Sequence, residues 1–123
     1  MNRLEKRLIV KREMEIILKL IGNELSRIRK SKKISGTELG EMIGISQQQM
    51  SRFERGYTRM DLGTMVCILY QLDISLFQFF FEIMEILKTN EPSMHEKYSP
   101  LVSRLTKMDI SEKNNHTKNN IIN

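Results

Sequence analysis

The 123-residue chain has no tryptophan, one cysteine, two prolines and two histidines. A lone Cys67 cannot close an internal disulfide, and with His95 and His116 far along the chain no cluster forms at metal-ligand spacing. No apolar run reaches the roughly 18 residues needed to span a bilayer. The first twelve residues are charge-rich, which leaves no apolar region of a secretory leader, so a cytoplasmic location without membrane association is expected. Nucleophile motifs, phosphate-cradling glycine loops and paired catalytic carboxylates are all missing. That argues against an enzyme and implies neither a cofactor nor an evident small-molecule ligand.

What is present is charge, unevenly placed. The net charge is +5; residues 1–62 hold 14 Lys/Arg against 8 Asp/Glu, whereas residues 63–123 hold 6 against 7. A basic half suits a polyanion-binding face, and the length allows one small domain with tails.

Inside the basic half lies Ser35 to Gly56, SGTELGEMIGISQQQMSRFERG. Ser35 and Glu38 have the spacing of a capping box, so a helix should start there, with Leu39 and Ile43 on its apolar face. Gly44 suits a left-handed turn that stops it, Ile45 plugs the corner, and Ser46 caps a second helix from Gln47 to about Arg55. Gly40 sits within the first helix, where glycine costs roughly 1 kcal/mol relative to alanine, and a close helix crossing is the expected reason. At about 100° per residue Met50 and Phe53 point inward, while Gln48, Ser51, Arg52 and Arg55 cluster outward with Gln47 at their edge. Glutamine can pair with adenine and arginine with guanine in the major groove.

The pattern Leu39, Gly40, Ile43, Gly44, Ile45, Met50, Phe53 resembles the helix-turn-helix of the Cro/CI-type (XRE) DNA-binding family, over about Ile17 to Ile83. The resemblance implies an all-α fold: a five-helix lambda-repressor-like domain over residues 16–89. Residues 1–15 add an N-terminal helical extension, 90–109 a short helix or linker, and 110–123 a disordered tail. It implies binding of double-stranded DNA as a homodimer, with Gln47, Gln48, Ser51 and Arg52 reading bases and Ser46, Arg55, Tyr57, Thr58 and Arg59 meeting phosphates. Arg29 and Glu54 match the family's structural ion pair. One departure is Gly36, where the family often carries a phosphate-touching glutamine. The QQQMSRFERG run is also similar to MrpJ-type regulators associated with fimbrial operons, which implies coupling of fimbrial expression to repression of motility genes.

Around this motif, Leu4, Leu8, Met14, Ile17, Leu18, Ile21, Leu25 and Ile28 recur at helical spacing between Asn2 and Ser31, with no proline intervening. They form one long helix or two in series, with Gly22 marking a close approach or a break. The extension could pack on the domain, join a dimer interface or cover DNA. Asp61 should cap a fourth helix, Leu62 to about Leu72, in which Cys67 acts as a small hydrophobe. Ser75 should cap a fifth helix ending near Lys88 or Thr89. There Phe77, Phe80, Met84 and Leu87 are assigned to the core, which leaves Phe79, Ile83 and Ile86 for a dimer interface. Ser99 and Pro100 read as the start of a short sixth helix carrying Leu101, Val102, Leu105 and Met108. An antitoxin or phage-type repressor would use the same module, with residues 1–15 or 90–110 free to bind a toxin, and a protein-interaction adaptor could keep the fold without the DNA.

Overall fold

The computed structural model describes residues 1–103, and every described regular element is helical. Two compact units divide the chain, Met1–Leu76 and Phe77–Asn123. The expected tail, 110–123, and Leu105 and Met108 of the expected sixth helix lie outside the described residues.

The first unit begins with α1, Arg3–Ser31, a single continuous helix of 29 residues. Its start is a reciprocal cap: Asn2 Oδ1 accepts from the Glu5 amide at 2.8 Å, and Glu5 Oε2 accepts from the Asn2 amide at 3.0 Å. Residues 1–12 are exposed throughout, so this part of the extension does not pack on its own unit. Gly22 does not break the helix. It is the point of closest approach to the helix that follows the turn, since a Cβ there would lie 2.4 Å from the Phe53 carbonyl oxygen and 2.5 Å from that of Glu54.

Next come α2, Gly36–Ile43, and α3, Gln47–Glu54. Ser35 Oγ accepts from the Glu38 amide at 3.0 Å, and Ser46 Oγ from the Gln49 amide at 3.1 Å. Gly44 between them adopts φ 75°, the left-handed conformation that lets the chain reverse within three residues. Gly40 sits at the α2–α3 crossing, where a Cβ would fall 2.8 Å from the Ile45 carbonyl oxygen. The fourth helix, α4, spans Leu62–Gln71; Asp61 caps it through the Thr64 amide at 2.7 Å. That hydrogen bond holds the exposed Asp61 carboxyl below its ordinary pKa.

In this unit α1 packs on α3, and α2 packs on both α3 and α4. Ile21, Leu25 and Ile28 of α1 are buried, together with Leu39, Met50, Phe53, Met65, Ile68, Leu69 and Leu72. The buried positions of α4 step by three or four residues, and Cys67 falls between them. Cys67 is therefore an exposed free thiol and not the core hydrophobe expected of it.

The second unit holds α5, Leu76–Asn90, followed by a helical run over residues 92–103, here α6. Proline occupies the first position of α6 at Pro92, which follows Glu91 and not a serine, and Pro100 falls inside the run instead of starting it. The faces of α5 also differ from expectation. Phe79, Ile83 and Leu87 are fully buried, one above another at steps of four residues, whereas Phe77 is 58% exposed and Phe81 53%. Phe80, Met84 and Ile86 are half-buried. Phe79 and Ile83 are thus unavailable as an exposed pairing face: the apolar residues run almost continuously around α5, and periodicity alone does not choose which stripe is enclosed.

Alanine normally stabilises a helix interior by about 1 kcal/mol relative to glycine. At the two crossings the sign should reverse. Gly22→Ala and Gly40→Ala are each expected to destabilise by about 1 to 3 kcal/mol, because the added carbon meets backbone that cannot move aside. Urea denaturation of the two variants checks this, and a raised midpoint would mean that the helices do not cross so closely.

Candidate nucleic-acid interface

The short helix α3 sorts its side chains by what surrounds them. Met50 and Phe53 are buried, and Gln47, Gln48, Arg52 and Arg55 are exposed. Ser46, Gln47, Gln48, Gln49, Ser51, Arg52 and Arg55 together line one shallow concavity of about 530 Å³. All four expected base readers therefore share a single surface, and the phosphate candidates Ser46 and Arg55 belong to it. The surface presents amides, hydroxyls and guanidinium groups, with no carboxylate in its lining.

Two of its arginines are held in place. Arg52 donates from Nε to Thr58 Oγ1 at 3.1 Å, which joins the reading face to the loop after α3. The Arg55 guanidinium lies 4.8 Å from the centre of the Tyr57 ring, within cation–π range. Gly56 turns the chain between them at φ 71° and brings the loop against α1, so close that a Cβ would sit 2.8 Å from Lys19 Cα. Tyr57 and Arg59 consequently line a different groove, shared with Lys11, Met14, Glu15, Leu18 and Lys19 of α1.

Beneath this face lies an ion pair. Arg29 donates from Nε to Glu54 Oε2 at 2.7 Å and from a terminal nitrogen to Oε1 at 2.8 Å. Its other terminal nitrogen donates to the Ile34 carbonyl at 2.8 Å. The two side chains are only 11% and 10% exposed. The hydrogen bond to Glu54 keeps the arginine pKa above its ordinary value, against burial that pushes it down. Gly36 stands over this guanidinium, with a hypothetical Cβ 3.9 Å from Arg29 Cζ.

A model of the helix-turn-helix family matches residues 25–78, which contain α2, α3 and α4 entire. An HTH-type transcriptional regulator of Rickettsia prowazekii, itself uncharacterized, is 31% identical over 98 residues, covering 76% of this chain and 75% of its own length. This chain belongs to the helix-turn-helix family of transcriptional regulators. A second uncharacterized member, from Rickettsia conorii, is 28% identical over 116 residues, 90% of this chain and 92% of the relative. The regulator also shares its fold with the clp gene regulator ClgR from Corynebacterium glutamicum. That match has a TM-score of 0.57 and 19% identity, and covers 67% of this chain and 89% of that one. The all-helical, lambda-repressor-like class implied by the motif is thus the class of the regulator. Among the described residues no single helix is long and apolar enough to cross a membrane.

Some groups beside α3 escape a reading of the motif alone. Asn23, Ser26, Arg27 and Lys30 of α1 share a groove with Ser51 and Arg55. They lie 17 to 24 residues before the start of α3 in sequence, on a helix read for its apolar stripe. The only hint is that the stripe of α1 leaves one polar edge rich in cations.

Removing one member of a nearly buried pair leaves the other charge without a partner. Glu54→Ala is therefore expected to destabilise the regulator by about 3 kcal/mol, well beyond the loss from an exposed pair. Chemical denaturation measures it, and a loss under about 1 kcal/mol would place the pair among solvated surface charges.

Proposed function

We propose that this regulator binds duplex DNA sequence-specifically as a homodimer, with α3 in the major groove. The observation that carries this reading is the division of α3. One side is fixed in the core, and the opposite side gathers Gln47, Gln48, Ser51 and Arg52 on one exposed concave surface. Amide and guanidinium groups so arranged can make paired hydrogen bonds to base edges. Ser46, Arg55, Tyr57, Thr58 and Arg59 are assigned to the phosphate backbone, where they set the register of the helix. Arg29 and Glu54 are scaffold. The narrower reading, coupling of fimbrial gene expression to repression of motility genes, is supported by the QQQMSRFERG run alone.

Replacing Gln47, Gln48 or Arg52 singly by alanine should relax preference at particular base pairs, at a cost of about 1 to 3 kcal/mol each. Competition binding against a randomised operator library reads this out; uniform weakening on every sequence would make these side chains phosphate contacts instead.

Two-fold pairing is the commonest closed symmetry, and it would set two recognition helices about 34 Å apart, one turn of DNA. The exposed rings of Phe77 and Phe81 on α5 are assigned to that pairing. Light scattering should give a dimer for the native chain and a monomer for Phe77→Glu with Phe81→Glu. A variant that remains dimeric would move the interface to another element.

A further inference from the structure

Along the edge of α1 beside α3, Asn23, Ser26, Arg27, Lys30, Ser51 and Arg55 line a groove of about 510 Å³. Its inner lining includes Arg29 and Glu54, whose opposite charges cancel in their mutual pair. The exposed rim carries three basic side chains, Arg27, Lys30 and Arg55, of which Arg27 is paired with the buried Glu24 behind it. Lys30 and Arg55 are exposed, and the Arg27 side chain is 62% exposed even though its Nε lies 3.1 Å from both carboxylate oxygens of Glu24. Glu24 is itself buried, with a side chain 6% exposed, so it acts as a fixed clamp that orients the guanidinium before any ligand arrives. Asn23, Ser26 and Ser51 add neutral hydrogen-bond donors between the cations. Apart from Glu54, already engaged by Arg29, no carboxylate lines the groove.

We propose that this groove is a second seat for the DNA sugar–phosphate backbone, which makes α1 a DNA-contacting element beside the recognition helix. The inference rests on the proposed function above. Point cations interleaved with hydroxyl and amide donors suit phosphodiester oxygens, which carry negative charge and accept from any direction. A free polyphosphate presents the same oxygens. The duplex is favoured because Ser51 and Arg55 line both this groove and the reading concavity, so one continuous strand can cross from one to the other.

The test uses the full chain and a fluorescent operator duplex, with affinity measured by anisotropy between about 50 and 200 mM salt. Lys30→Gln should lower the slope of log affinity against log salt by about 0.9. The native chain's advantage over the variant should then shrink about 3.5-fold across that range, on operator and random duplex alike. Lys30 also stands in the last turn of α1, so Ser26→Asp, which places a carboxylate on the rim instead, is measured beside it. It should weaken binding on all sequences while its melting temperature stays that of the native chain. Native slopes and affinities in both variants would overturn the proposal. Saturation of the groove amides by micromolar tripolyphosphate in an NMR titration, with DNA slopes unchanged, would also overturn it in favour of a free polyphosphate. Failure of the native chain to bind any duplex would instead overturn the proposed function, which separates the two.

Discussion

The pair between Arg29 and Glu54 is the interaction on which the rest of the first unit depends. Three segments that are distant in sequence meet at one guanidinium: α1 supplies it, α3 supplies the carboxylate at its C-terminal end, and the connection before α2 supplies the Ile34 carbonyl. A bidentate pair fixes direction as well as distance, because the planar fork accepts a carboxylate in one plane only. Apolar packing of Met50 and Phe53 would hold α3 against the core yet leave it able to roll, since dispersion has little directional preference. The ion pair removes that freedom. Gly22 is part of the same joint. Without a side chain there, α1 comes near enough to the carbonyls of Phe53 and Glu54 for the fork to reach.

With α3 fixed, the loop that follows it becomes part of the same surface. Arg52 bonded to Thr58, and Arg55 stacked on Tyr57, are side chains whose rotamers are already chosen in the free protein. Long arginines otherwise lose up to about 2 kcal/mol of rotamer freedom each when immobilised. On the DNA-binding reading, part of that cost is met during folding, and the remaining contacts discriminate more sharply between sequences.

Much of this was legible from residues alone, and the reason is locality. Caps at Ser35, Ser46 and Asp61, the left-handed Gly44 and the inward pair Met50 and Phe53 depend on neighbours within four positions, which a sequence displays directly. Where the structure departs from the pattern, the cause is of another kind. Phe79 and Ile83 are enclosed rather than exposed because α5 has more apolar residues than one face can hold, and only the packing in space decides among the stripes. Cys67 went wrong for a smaller version of the same reason: apolar in character, it falls between the buried steps of α4. At α6 the Ser99–Pro100 pair has the better cap, yet the helix starts at Pro92, because a proline suits a first helical position whatever precedes it.

The distribution of cations shows why a charge count says less than their partners do. Residues 1–62 carry 14 Lys/Arg, yet these do not act alike. Arg29 is consumed by the scaffold. Arg27 is oriented by Glu24 but keeps its outer edge in solvent. Lys19 meets Gly56 through its backbone, at the joint where the loop leaves α3, while Lys11 and Arg59 share a groove on that flank. Lys30 and Arg55 face the other flank. Positive charge therefore lies on both sides of α3, whose own outward face adds Arg52 to its glutamines. A polyanion with two backbone strands, separated by the groove between them, matches that arrangement better than a single acidic segment would, since it can engage both flanks while its centre is read by glutamine. On the DNA-binding reading, the net +5 draws a polyanion in, and cations on both flanks of α3 suit the two strands of a duplex.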